Sequence, residues 1–558
     1  MRIKSGSTLC AVGAVLLAAC QPALKQADMI FSNGAVYTAN AAHDVQEVVV
    51  IADGRILAVG GVELLNAYTA PRMIDLAGRL LLPGFNDAHT HIDGNPRNFV
   101  EASGARSVAE LAELVKGMTS VVQPGQWITG YGWSEDRFAE GRKPTRADLD
   151  AVAPNNPVFL TREGGHAGLA NSAALRIAGL TSATAQPLGG ELEKDAAGQL
   201  TGVIAERFDL VTRHIPVGDP GEIADDLARN LNSQLALGIT SLTDASVGTG
   251  AYERLWKRVY SESTLSLPRA TTQINPGLVA GDPDTAIKRL RDFAMTTGDG
   301  DDRLKVGALK VFVDGGFTGP AAYTTRGYRH DPAYHGSLTA PIADIEALAR
   351  AAHEMGWQFG FHTIGDRAID ETVAMIDRVL TDKPRADHRH YLNHFSMTPT
   401  RATMELMAKD GIAIAQQPNF TYSLEGRYRK FLPDDALPVN NPVATPLGLG
   451  IQMGFSSDII PIGPLVGVYA AVTRKGASGE VYGADERIDI KQALRLYTHG
   501  GAWLNFDDDI KGTIAPGMLA DLIVLSENLL TADPDRIIGA KVDITVLDGK
   551  VVYQRPTQ

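Results

Sequence analysis

Short apolar runs and longer helical patterns alternate through the middle of this chain. The runs fall at Leu81–His91, Ile239–Ala245, Arg269–Ile274, Val306–Val313, Phe359–Thr363, Arg389–His394, Ile412–Gln416 and Ile451–Ser457. Helical patterns lie between several of them, as at Ile342–Met355 and Asp366–Leu380, with Thr398 and Asp366 as candidate caps of helix starts. The alternation predicts β/α units around a parallel sheet. Eight such units predict a closed (β/α)8 barrel.

The two ends of the chain have a different rhythm. From Asp28 to about Leu82, strand-like runs are joined by turn signals such as Asn33-Gly34 and Asp53-Gly54. The runs Asp521–Leu525 and Ile544–Tyr553 repeat that pattern at the other end. Neither stretch is long enough to bury a core alone. Residues 21–82 and 510–558 are therefore expected to build one small β-sandwich, with the barrel, residues 83–509, inserted between them. Two further strand-like runs, Trp127–Tyr131 and Val158–Thr161, fall in the gap between the first two barrel strands, at about residues 95–230. A structureless loop of that length is improbable, so the gap is expected to hold an inserted domain over the barrel mouth.

Composition narrows the class. Of 558 residues, 44% are hydrophobic and 21% charged, as in ordinary soluble globular proteins. A net charge of −13 leaves no basic excess to neutralise phosphates, so a nucleic-acid partner is not expected. The first twenty residues read as a processing segment: Arg2 and Lys4, an apolar run Leu9–Ala19 too short to span a bilayer, then Leu17-Ala18-Ala19-Cys20. This resembles a bacterial lipoprotein signal peptide, which implies a lipidated Cys20 and a protein anchored in the cell envelope, on the periplasmic side. Cys10, the only other cysteine, would be removed with the signal, so the mature chain has no disulfide and no thiol ligand.

Candidate chemistry sits where the barrel strands end, the face on which such barrels carry their active sites. Strand one ends in Asp87-Ala88-His89-Thr90-His91, whose alternate side chains share one side. Strand four carries Lys310 and runs on to Asp314, strands five and six end at His362 and His394, and strand eight ends at Asp458. These imidazoles and this carboxylate suit one divalent transition-metal site. Taken singly, His362 or His394 reads as a hydrogen-bonded core histidine and Asp458 as a helix cap. Lys310 has two readings. Its amine pairs with a carboxylate such as Asp314, or burial keeps it neutral and CO2 converts it to a carbamate that bridges two metals.

The motif Leu82-Pro83-Gly84-Phe85-x-Asp87-x-His89-x-His91, with Gly512–Leu525 as the return into the sandwich, resembles the amidohydrolase superfamily of metal-dependent hydrolases. The stretches His362–Ala368, Lys310–Gly315, Gly130–Trp133 and Glu163–Leu175 are similar to the branch that contains N-substituted formamide deformylases. The resemblance covers essentially all of the mature chain. It implies His89, His91, His362 and His394 as zinc ligands, Asp458 as ligand and acid/base, and Lys310 as the strand-four lysine of two-metal members. Relatives often carry Glu immediately before the strand-six histidine, where this chain has Asn393.

The implied reaction is hydrolysis of a carbon–nitrogen bond in a small-molecule amide of the N-formyl or N-acyl amine type. Zinc brings the pKa of bound water from about 15.7 toward 7. Asp458 takes the water's proton and returns it to the leaving amine. His166 is a candidate to polarise the carbonyl; its plainer role is a structural hydrogen bond in a loop. Cyclic amides, carbamates and esters suit the same hydroxide. A metal-containing lipoprotein that binds a ligand without turnover, or a surface interaction protein with a degenerate site, would have no use for Asp458 beside a full ligand set. One zinc ion or two, and the state of Lys310, are not legible in the sequence.

Overall fold

The computed structural model describes residues 24–187, 189–317 and 320–556. The signal-like segment and Cys20 lie outside the described residues. Among the described residues no helix is long and apolar enough to cross a membrane.

The centre of the molecule is an eight-stranded, all-parallel sheet in chain order. Its strands are β1 (Phe85–Thr90), β2 (Ile239–Gly248), β3 (Arg269–Asn275), β4 (Leu304–Phe312), β5 (Phe359–Thr363), β6 (Tyr391–His394), β7 (Ala413–Gln416) and β8 (Met453–Phe455). A parallel bridge between Thr90 and Asp458 joins the last strand's end to the first and brings the sheet nearly to closure. Eight apolar runs thus become a (β/α)8 barrel.

The first run is split. Leu80–Pro83 is a strand of the sandwich and only Phe85–Thr90 belongs to the barrel. Gly84 stands between them, where only glycine fits, because a Cβ there would come 2.0 Å from Thr240 Oγ1. The run is continuous in hydrophobicity but serves two sheets. Helices form at Ile342–Glu354 and Asp366–Asp382. The expected cap at Thr398 is corrected to Thr400, whose side chain accepts from Thr403 N; the Thr398 hydroxyl instead donates to Val439 O. Asp366 is the first helical residue rather than the cap, and its carboxylate accepts from Thr325 N at 2.9 Å.

Both chain ends build the sandwich. One sheet has the order Arg55–Gly60, Val48–Ala52, Met29–Ser32, Arg72–Asp75. The other runs Lys550–Gln554, Val542–Leu547, Leu522–Leu525, Leu80–Pro83, Ala35–Tyr37, Val45–Gln46. Strand alternation divides the labour of this second sheet. Leu81, Leu522 and Val524 face the sandwich core with Phe31, Val49 and Ile51, while Leu80, Leu82, Ile523 and Leu525 pack with the barrel. A buried Arg269, at the start of β3, ties the two bodies together through Asp521 at 2.7 Å and through Asp548.

Between β1 and β2 lies a separate six-stranded mixed sheet, Phe99–Glu101, Ile128–Trp133, Val158–Arg162, Ala167–Ala170, Leu200–Ala205 and Glu191–Lys194, with its own apolar clusters. Asp136 of this insert meets Arg427, on the short helix Glu425–Phe431, at 3.0 Å. That contact holds the insert against a segment that follows β7.

Candidate metal centre

The C-terminal ends of β1, β6 and β8 bring His89, His394 and Asp458 together, with one ligand atom from each within 4.8 Å of the others. His91 stands one residue past β1, its Nε2 3.7 Å from Asp458 Oδ1 and its ring 5.2 Å from that of His89. His362, on β5, has its ring centroid 4.4 Å from that of His394. All five candidates from the strand ends therefore meet at one mouth of the barrel.

Backbone geometry aims two of them. His394 and Asp458 both hold left-handed φ values, 77° and 59°. Such conformations cost a non-glycine residue about 1–3 kcal/mol and persist where the surroundings fix them. Asp458 is fixed by its N–H, which donates to His89 O at 2.8 Å. Asp87 supports the same junction, accepting from Ser457 N at 2.9 Å.

Hydrogen bonds orient the imidazoles. His89 Nδ1 donates to Asn393 Oδ1 at 2.7 Å, and Asn393 Nδ2 donates to Gly360 O at 2.7 Å and to Gln273 Oε1 at 3.1 Å. His394 Nδ1 donates to Gln417 Oε1 at 2.8 Å, while Gln417 Nε2 donates to Ser456 Oγ at 2.8 Å. Each bond leaves Nε2 as the lone-pair nitrogen. Among the described residues, His89 Nε2 and His362 Nε2 are buried without a hydrogen-bond partner. Buried acceptors left open in this way are costly unless something binds them, and a metal ion fits that need.

Lys310 is fully buried, and among the described residues its Nζ also has no hydrogen-bond partner. Pairing with Asp314 does not occur. That carboxylate accepts instead from Tyr323 N (2.9 Å), Ile364 N (3.0 Å) and Gly365 N (2.8 Å). The Lys310 ammonium position lies 4.6 Å from the Phe312 ring centre. Burial drives this amine toward its neutral form, against the pull of Asp458 and Asp244, and drives the Asp458 carboxyl up. Burial also pushes His91 down to about 3 and holds His89, His362 and His394 well below the ordinary histidine range. These imidazoles are neutral, as metal ligands must be.

The cluster opens into a cavity of about 750 Å3. The insert contributes His166, whose ring lies 5.7 Å from that of His362. Its Nδ1 meets Glu206 Oε1 at 3.1 Å, leaving Nε2 beside Gly316, where a Cβ would come within 2.7 Å. Burial disfavours the His166 charge, but the Glu206 carboxylate more than offsets this and raises its pKa. Facing this polar side is an apolar wall of Phe317, Phe420, Leu424, Tyr428 and Ile460. Sequence reasoning missed Glu206, Gln417 and Gln273. Of these, only Gln417 carried a local signal, its place immediately after a barrel strand.

Comparison with known proteins agrees with the geometry. A family model described as the amidohydrolase family matches residues 72–553. The chain is 28% identical over 551 residues to the N-substituted formamide deformylase of Arthrobacter pascens, covering 95% of this chain and 98% of that protein. Among solved structures, it is similar to an uncharacterized metal-dependent hydrolase of Pyrococcus horikoshii, with a TM-score of 0.71 at 24% identity, covering 91% of this chain and 99% of that one. A second, from Pyrococcus furiosus, gives a TM-score of 0.67 at 25% identity, again over 91% and 99%.

Proposed function

The chain belongs to the amidohydrolase family and is a metal-dependent hydrolase; from that premise we propose that it cleaves the carbon–nitrogen bond of a small N-formyl or N-acyl amine. The observation that carries the reading is the set of oriented imidazoles around Asp458, at the base of a cavity with an apolar wall. The identity with a formamide deformylase over nearly the whole chain supports the choice of bond.

We assign His89, His91, His362, His394 and Asp458 as ligands of zinc, with Lys310, which burial pushes toward its neutral form, as a residue that CO2 would convert to a bridging carbamate for a second ion. When bound, zinc supplies hydroxide at neutral pH and a Lewis acid for a carbonyl oxygen. Asp458 accepts the proton of the attacking water and delivers it to the leaving nitrogen, which departs as a neutral amine. His166, held by Glu206, donates through Nε2 to the carbonyl oxygen as negative charge develops there. The apolar wall excludes water from the organic part of the substrate.

A panel of N-formyl, N-acyl and cyclic amides, with matched esters, tests this on the zinc-loaded mature protein. Release of amine from an acyclic amide is expected, with a loss of about 10²–10⁴-fold in Asp458→Ala. Turnover of esters alone would count against the carbon–nitrogen assignment. We further propose that Cys20 is lipidated and holds the enzyme on the cell envelope, facing the periplasm. Wild-type protein should then sediment with membranes and Cys20→Ser should not.

A further inference from the structure

At the opposite end of the barrel, where β8 begins, a second cavity of about 210 Å3 opens beside the helix Ile490–Arg495 and the π-helical turn Leu496–Gly500 that continues it. Arg495 and His499 are four residues apart along this segment and both line the cavity. Arg495 Nε is buried without a partner, and among the described residues its guanidinium makes no hydrogen bond and no ion pair. His499 Nδ1 is likewise buried and unpartnered. The nearby carboxylate of Asp508 does not serve them, being engaged by Arg389 at 2.7 Å. Gln452, Gln492 and Trp503 also line the cavity, beside the apolar Leu447, Ile451 and Met453.

A guanidinium presents five donors in a planar fork matched to two coplanar oxygens. Leaving its buried Nε–H unsatisfied costs free energy, and so does an open imidazole nitrogen next to it. Both costs are removed by one ligand that brings at least two acceptor oxygens and a negative charge. We propose that this cavity binds a small oxyanion, a carboxylate or phosphate group, with Arg495 as the bidentate partner and His499 Nδ1–H as a third donor. The site is separate from the metal centre, and the anion would sit at the seam where the residue 40–44 loop of the sandwich, through His43, meets the barrel.

The test is thermal unfolding of the full, metal-loaded protein in inorganic phosphate and, separately, in acetate, each against chloride at matched ionic strength. Wild type is expected to gain about 1–2 °C at a concentration ten times Kd. Arg495→Gln should abolish the gain, and Arg495→Lys should retain only part of it. Among the described residues the Arg495 guanidinium makes no hydrogen bond or ion pair that either substitution would break, so both variants should fold and keep their metal. Because phosphate can also bind at a metal centre, Asp458→Asn is measured in parallel and should keep the gain. A gain with phosphate but not acetate assigns a phosphate group, and the reverse a carboxylate. No gain in wild type with either anion, an equal gain in Arg495→Gln, or a gain lost in Asp458→Asn but kept in Arg495→Gln would overturn the proposal.

Discussion

Asn393 Oδ1 lies 2.7 Å from His89 Nδ1, so a neutral amide holds the first histidine of the metal-capable cluster. The amide is held in turn by Gly360 O and Gln273, which fixes which end faces the imidazole. Partners of this kind are worth about 10–100-fold in metal affinity. Asn393→Ala should weaken zinc binding by that factor in a chelator competition and leave the far-ultraviolet circular dichroism unchanged. Unchanged affinity would mean that the hydrogen bond does not orient the ligand.

Glu206 stands to His166 as Asn393 stands to His89, but it adds a negative charge. Replacing it with Gln keeps the shape and removes the charge that favours a protonated imidazole. Glu206→Gln is expected to lower kcat by about 10²-fold, the scale of one lost transition-state donor, with little change in KM or metal content. A rise in KM at constant kcat would assign the pair to ground-state binding instead.

The joint between barrel and sandwich rests on Arg269, buried against Asp521 and Asp548. Removing one partner of a buried pair costs about 3–5 kcal/mol because the remaining charges lose compensation. Arg269→Ala should reduce unfolding free energy by that amount in urea titration, and both bodies should loosen together. A loss under ~1 kcal/mol would show that the joint is held by the apolar face of Leu80, Leu82 and Ile523.

Three histidines near the starts of β5 and β6 give a pH dependence whose sign is fixed by geometry. His390 Nδ1 accepts from Phe359 N (3.0 Å), its Nε2 donates to His353 Nδ1 (3.2 Å), and His353 Nε2 donates to Lys383 O (2.8 Å). His388 Nδ1 accepts from His390 N at 2.9 Å, and its Nε2 donates to Asp410 O at 2.8 Å. No ring nitrogen is left to take a proton, and burial lowers all three pKa values. The unfolded chain does take protons near pH 6.5. Stability is therefore complete above that pH and falls below it, by at most ~1.4 kcal/mol per pH unit for each histidine. Urea unfolding between pH 7.5 and 5 should show this fall, and a His353→Gln, His390→Gln double variant should show a shallower one. Equal slopes would refute the assignment.

Much of this molecule was legible in the sequence because burial writes itself as pattern. Phe359–Thr363 is a strand at its expected bounds because both of its faces are covered, and its neighbours shift by only a few residues. The same logic failed at Leu80–Thr90, where two strands of different sheets adjoin and hydrophobicity does not register the change of sheet at Gly84. In the site, His89, His394 and Asp458 could be collected because a barrel places consecutive strand ends on one rim. Glu206 could not, since its approach to His166 depends on how two insert strands pair, Ala167 opposite Ala205, and no local spacing encodes that. The expected alternative partner for Lys310 was wrong for a related reason. Asp314 is near in sequence, but three backbone N–H groups claim it first.

The central claim is that these side chains hold the metal on which hydrolysis depends, and metal analysis tests it most directly. Elemental analysis of the purified protein, after dialysis against metal-free buffer, should give at least one zinc equivalent per chain in wild type. In a His89→Ala, Asp458→Ala double variant of unchanged fold it should give well under one. Two equivalents in wild type, falling toward one in Lys310→Ala, would follow from the bridging role of Lys310. A wild-type protein that retains no metal, or a double variant that retains as much as wild type, would contradict the account.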